Sequence, residues 1–313
     1  MFKDLFQLGN PVAHRGIVIT PLFPRRDPVA QYVTLDEALP RGFRVREVSD
    51  AGLVPELFVE NPLTQDVLLY DGEELVGAKQ NRILNVSVLV AAGTKLPIPV
   101  SCVEEGRWHA QSVAFGAAPH AAHPRLRRRK AEALQAEPLA RGAAQADVWD
   151  EVALTADRLA VVSPTRANSD TFRAHRPSLA QLEQAFPLEA GQCGAVLALG
   201  DNLCLDAVSR PDAFTRLWPK LRAGYLLDAL DQLDQPAAGS GSVSDFVASL
   251  ATAAIASRPS AGRGSDVRLN GEHVLGSGLE VDRELLQVSA FTRDGSATSR
   301  MGRISRPSRR RGS

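Results

Sequence analysis

Residues 67–90 read VLLYDGEELVGAKQNRILNVSVLV, and the fold turns on how the charged middle of this stretch is understood. The apolar runs 67–70 and 83–90 have the character of strands. Strands of that quality usually meet through a short Gly/Asn/Asp turn. Here they enclose 71–82, which is dense in acids, bases and amides. Asp71-Gly72 can make a tight turn, and Gly77 allows a bulge or a second one. If the chain is extended at Glu73 and Glu74, the two carboxylates point to opposite faces, so at most one joins any given site. The expectation is a bulged hairpin. It is either solvated, with cross-strand ion pairs each worth at most about 1 kcal/mol, or the working part of the molecule.

Outward from that hairpin, short strand-like runs recur at 16–23, 43–48, 57–62 and 96–103, with a helical turn at 35–39. Their density predicts an antiparallel sheet or sandwich. Pro97 and Pro99 each remove a backbone donor, which suits an edge strand or one whose N–H groups face away from a neighbour. The middle differs: a basic, Ala-rich stretch around 119–145, an amphipathic helix near 145–161, a polar loop over 164–176, and a short helix from Ser178 to Pro187. The runs 194–199 and 203–208, joined by Gly200-Asp201-Asn202, form a strong hairpin signal. A helix follows from about 211, kinked at Pro219. Residues 236–242 read as a flexible connector, 243–257 as a helix, and 266–293 as three short strands with a turn at Asn270-Gly271.

The fold class expected is therefore α+β: a β-rich N-terminal antiparallel sheet or sandwich, packed with a helical middle and a C-terminal hairpin-helix unit. The units are a β-rich part over 1–118, a basic Ala-rich insertion over 119–145, an α/β remainder over 146–293, and a disordered Arg-rich tail over 294–313.

Basic and acidic residues balance at 36 each in a chain that is 44% hydrophobic, so the net charge gives no argument for nucleic acid or membrane. Three widely spaced cysteines, Cys102, Cys193 and Cys204, argue against a disulfide framework or a zinc cluster. With no signal-peptide pattern and no long apolar run, a cytoplasmic protein without a membrane span is expected. Phosphate-loop, dinucleotide-fingerprint, HExxH and GxSxG patterns are all missing. His120 and His123, in APHAAHP, read as a surface loop rather than a metal site, and no metal or cofactor is expected.

The richest chemistry lies in 71–82. Lys79 and Arg82 can hold a phosphate or carboxylate, while Gln80 and Asn81 can read a ribose or base. Glu73 or Glu74 could act as acid or base, according to burial and neighbours. Cys102 could be a nucleophile if a nearby cation stabilised its thiolate, although a strand-end cysteine is commonly a small buried hydrophobe. Trp108 could stack on a ring. Arg127, Arg128, Arg129 and Lys130, with Arg309, Arg310 and Arg311 in the tail, form two basic segments that could give weak, salt-dependent nucleic-acid binding.

The stretch 71–108, DGEELVGAKQNRILNVSVLVAAGTKLPIPVSCVEEGRW, together with 194–230, resembles a bacterial, largely uncharacterised domain family. That family is named for its association with ADP-ribosylglycohydrolases and with rhodanese/phosphatase-superfamily proteins. The basic stretch 119–145 and the tail fall outside the resemblance. By association it implies a role near ADP-ribose, NAD-derived or other nucleotide metabolism. It also favours 71–82 as a site over a solvated hairpin. Three functions stay open: a protein binding or processing a nucleotide or ADP-ribose-like ligand at that hairpin; a non-enzymatic scaffold, a possible homo-oligomer through the Ala-rich helix 246–256; and a nucleic-acid-binding protein.

Overall fold

The computed structural model describes residues 5–49, 55–136, 142, 144–235 and 240–293. Strands β1 (Phe6–Leu8), β2 (Val12–His14) and β3 (Ile17–Pro24) open the chain, and β4 (Val33–Thr34) runs into helix α1 (Leu35–Ala38). There follow β5 (Arg44–Glu47), β6 (Glu56–Glu60), β7 (Val67–Leu69), β8 (Glu73–Gly77), β9 (Arg82–Leu84), β10 (Val88–Val90), β11 (Lys95–Cys102) and β12 (Phe115–Ala121). Helices α2 (Pro124–Ala136), α3 (Gln145–Arg158) and α4 (Asn168–Glu183) form the middle. The hairpin β13 (Gly194–Leu199) and β14 (Asn202–Val208) leads into α5 (Pro211–Ala229). Helix α6 (Ser240–Thr252) and strands β15 (Ala254–Pro259), β16 (Ser265–Asn270), β17 (Val274–Val281) and β18 (Glu284–Thr292) complete the order.

The result is mixed α and β with several antiparallel sheets. A nine-stranded sheet runs β1-β3-β13-β14-β18-β17-β16-β15, with β2 also on β3. A six-stranded sheet runs β12-β8-β9-β11-β6-β5, and a small one runs β10-β7-β4. The continuous apolar run of β13 is explained by burial on both faces. Ala195, Leu197 and Leu199 pack towards α4 and α5 with Phe172, Leu179, Phe214 and Leu221. The alternate residues Val196 and Ala198 meet Val243, Phe246 and Leu250 of α6 on the other face. A separate core fills the N-terminal unit, where Phe43, Val45, Leu57, Leu75, Leu84, Ile98 and Phe115 interdigitate. Pro97 and Pro99 lie in the half of β11 that pairs with β6, ahead of the residues that pair with β9. That placement spares the β9 ladder their missing donors.

Several expectations are corrected. The run 83–90 is split between β9 and β10, which lie in different sheets. Its buried polar residues turn it: Asn85 accepts from Ser101 Oγ at 2.8 Å, and Ser87 Oγ accepts from the Asp71 N–H at 2.8 Å. The stretch 164–176 is not a loop throughout, because α4 begins at Asn168 and carries Pro177 inside it. Proline forfeits a helix hydrogen bond, and the burial of Thr171, Phe172, Leu179 and Leu182 on one face offsets that loss.

The stretch 243–257 is helical only to Thr252, after which β15 pairs with β16. Alanine favours helix, and pairing with β16 overrides that propensity here. Val243, Phe246 and Leu250 of α6 pack on the sheet, while Ala251 and Ile255 of the Ala-rich segment are exposed. In helix α2, Arg127 and Lys130 are fully buried, so neither is available to a nucleic-acid phosphate, while Arg128 and Arg129 are partly exposed. The tail, with Arg309, Arg310 and Arg311, lies outside the described residues. No helix among the described residues is long and apolar enough to cross a membrane.

Candidate functional site

The charged segment is itself the hairpin. Glu73–Gly77 is strand β8, Arg82 opens β9, and the two strands pair antiparallel. The tight turn between them has two successive residues at positive φ, Gly77 at 117° and Ala78 at 39°. A non-glycine residue there is strained and persists only where the surroundings over-determine it. Here they do. Arg107 donates to the carbonyls of Ala78 (2.6 Å) and Gly77 (3.3 Å). The Ala78 N–H donates to Ser112 Oγ at 2.9 Å, and the Gly77 N–H donates to Asn81 Oδ1 at 3.2 Å. Glu104 fixes Arg107 at 2.6 Å and accepts the Asn81 N–H at 3.1 Å. Sequence reasoning did not single out Arg107 and Glu104 as a buried pair. The only signal was their spacing of three beside a strand end.

Beyond the turn, Arg82 is directly opposite Cys102 in the β9–β11 ladder and is wholly buried. Its Nη1 donates to Gln80 Oε1 and to Cys102 Sγ, both at 2.7 Å. Its Nε and Nη2 have no partner, and nor does the buried Oε2 of Glu47. A buried guanidinium with unused donors is costly unless something else completes it. Trp108, 47% exposed, roofs the group, with the Arg82 guanidinium 5.6 Å and Lys79 Nζ 5.5 Å from its ring centre. Four of the five expected ligand-binding residues, Lys79, Gln80, Arg82 and Trp108, thus converge. The fifth, Asn81, turns to the other side, donating to Ser169 Oγ at 3.2 Å and lying 3.5 Å from Glu74 Oε1.

The two glutamates go to separate environments, both interior. Glu73 accepts the Tyr70 N–H at 2.9 Å and pairs with Lys220 at 2.8 Å. Glu74 accepts from Asn168 Nδ2 at 2.7 Å and meets His120 Nε2 at 3.0 Å. The His120 ring stacks on Phe172 with centres 3.7 Å apart. The expectation of a surface loop for His120 and His123 is therefore overturned: both are buried. His123 Nδ1 lies 3.3 Å from Asp228, and its Nε2 lies 3.2 Å from Thr155 Oγ1. Burial pushes the Cys102 thiol up to about 11 despite the opposing pull of Arg82. That is the wrong direction for a nucleophile at neutral pH.

The basic run has an interior role that composition concealed. Arg127 donates to both carboxylate oxygens of Asp206, through Nη1 at 2.7 Å and through Nη2 in a shorter contact. Asp206 also accepts from Tyr70 and Tyr225 at 2.7 Å each. Lys130 Nζ pairs closely with Asp71 and donates to the Leu84 carbonyl at 2.7 Å. Arg129 pairs with Glu151 at 3.1 Å, and Arg128 Nη1 reaches Asn202 at 3.4 Å. Among the described residues, no group of three or more His, Cys, Asp or Glu is arranged to hold a metal ion.

The acidic turn, the buried GAKQNR arginine and the VSCVEEGRW strand end thus form one assembled unit. The model of the ARG and Rhodanese-Phosphatase-superfamily-associated Protein domain matches residues 6–291. The chain belongs to this family. The stretch 119–145 lies between the ends of that match. No curated protein and no solved structure matches the chain.

Proposed function

We propose that this member of the ARG and Rhodanese-Phosphatase-superfamily-associated Protein domain family binds a nucleotide or ADP-ribose-like small molecule at the 77–82 turn. One observation carries the reading: Arg82 is buried with Nε and Nη2 unpartnered beneath a half-exposed tryptophan. A planar fork of guanidinium donors suits a phosphate or carboxylate. An exposed indole flanked by cations suits an aromatic ring that carries negative charge. Gln80 holds one edge of the Arg82 fork, so the remaining donors are oriented before a ligand arrives. The strained, clamped backbone at Ala78 supports the same idea, since such strain gathers at ligand clamps. The free, buried state of all three cysteines supports a reducing compartment for this activity. The reading is one of binding, and no bond-breaking step is assigned to Glu73, Glu74 or Cys102.

Calorimetric titration with ADP-ribose, ADP and adenosine tests it. ADP-ribose or ADP should bind, with adenosine weaker by about tenfold or more for want of phosphate. Trp108→Ala removes only a half-exposed side chain and should weaken binding without altering thermal stability. Arg82→Lys keeps the charge but loses the fork, and should weaken it further. If neither phosphate ligand binds, or if both variants bind like the parent, the reading fails.

A further inference from the structure

A cleft of about 500 Å³ opens at a different place, where the β2–β3 turn, the end of α3, the face of α4 and residues 230–233 meet. Its size falls within the range of small-molecule sites. None of the 77–82 residues lines it. Its rim carries His14, Arg15, Arg158 and His175. Its apolar part comes from Leu159, Leu182, Leu230 and Leu233.

The walls are built rather than incidental. Arg158 is held from two sides. Its Nη2 donates to Glu151 Oε1 at 3.0 Å and Thr155 Oγ1 at 2.8 Å, and its Nε lies 3.2 Å from Asp231 Oδ2. Its Nη1 takes part in none of these contacts. Arg15, at φ 51°, grips Asp234 through Nε at 3.1 Å and Nη2 at 2.6 Å. The Asp234 N–H donates back to the Arg15 carbonyl at 2.9 Å. His175 Nε2 donates to the Leu159 carbonyl at 3.1 Å, which leaves the lone pair of the neutral ring on Nδ1. The acidic groups at the rim are already engaged: Asp231 by Arg125 and Arg158, and Asp234 by Arg15. What the cleft still offers a visitor is guanidinium edge, imidazole and leucine.

We propose that this cleft binds a small organic acid, with its acidic head on Arg158 and His14 and an apolar body over the leucines. The head group can be a carboxylate or a phosphate monoester, since both suit a guanidinium edge. The site is independent of the 77–82 turn.

Calorimetry on the full chain with phenylacetate, phenyl phosphate and inorganic phosphate decides between these sources. At least one aromatic acid should bind, more tightly than inorganic phosphate. Ser178 is an exposed residue of α4 at the cleft. Ser178→Glu should weaken binding about tenfold by placing a like charge at the site, and Ser178→Lys should not weaken it. Arg158→Gln should weaken it too. If that variant unfolds, the Ser178 pair still decides, because an exposed helix position tolerates both substitutions. Three results would overturn the proposal: no binding of either aromatic acid up to about 10 mM, indifference to Ser178→Glu, or equal affinity for inorganic phosphate.

Discussion

Replacing Asp206 with asparagine should be among the most damaging single substitutions in this protein. Asp206 sits on β14 with no exposure. It accepts from Arg127 on α2, from Tyr70 after β7, from Tyr225 on α5, and from Ser289 on β18 at 2.8 Å. One carboxylate therefore ties the nine-stranded sheet to the N-terminal unit and to two helices. Burial pushes Asp206 towards its neutral form, but the Arg127 guanidinium and the two tyrosine hydroxyls outweigh that and hold it below the usual carboxylate range. A carboxyl depressed in the folded state contributes stability at pH values above its unfolded value, so at neutral pH its whole contribution is present.

Asparagine keeps the shape and leaves the Arg127 charge uncompensated in the interior. Breaking a buried pair in this way costs about 3–5 kcal/mol, and the melting temperature should fall by roughly 10 °C. The double variant Asp206→Leu/Arg127→Met removes both charges and should lose less than Asp206→Asn alone. Calorimetric melting of the single and double variants measures this. The reasoning is refuted if Asp206→Asn melts within about 2 °C of the parent, or if the double variant is the least stable.

Three further outcomes follow from the same contacts. Gly77→Ala would place a Cβ 2.4 Å from Ser112 Oγ at a φ of 117°. It should cost about 1–3 kcal/mol in urea denaturation and weaken nucleotide binding, and an unchanged midpoint would show that the turn is not clamped. Native Cys102, pushed up to about 11, should resist iodoacetamide at pH 8 and react promptly only once the chain is unfolded; fast native alkylation at that position, mapped by mass spectrometry, would contradict the burial. Asp228, like Asp206, is driven towards neutrality by burial but held below the usual range by His123 and Arg125. Stability should therefore be level above the unfolded aspartate value and fall only as the pH drops below about 4. Melting that already declines from pH 7 to 5 would point to other groups.

Much of the fold was legible because burial pattern and turn chemistry agree locally. The β13–β14 hairpin, the long helix through Pro219 and the strands after Gly264 all carry apolar runs or helical spacing bounded by Gly, Asn or Pro. Helix α4 was hidden because its inward face is sparse in apolar residues and it carries a proline inside. Strand β15 was hidden because its alanines favour helix and only β16 supplies its ladder. For the site, residue types and spacing marked 71–82 and Trp108, but they could not tell a wet hairpin from an interior one.

The sequence by itself determined many of the strands and helices and which twelve residues hold the densest chemistry, since periodicity and side-chain type are local properties. Only the tertiary structure decided what each charge meets. Lysine, arginine and glutamate read the same whether they face water or a partner far along the chain. Arg127 finds Asp206, Lys130 finds Asp71, Glu73 finds Lys220 and Glu74 finds His120 across separate elements. Arg82 is left with donors to spare because the turn at Ala78 and the opposed Cys102 hold it in the interior. A buried charge is tolerable only when paired, and pairing over such separations is fixed by how the sheets and helices pack.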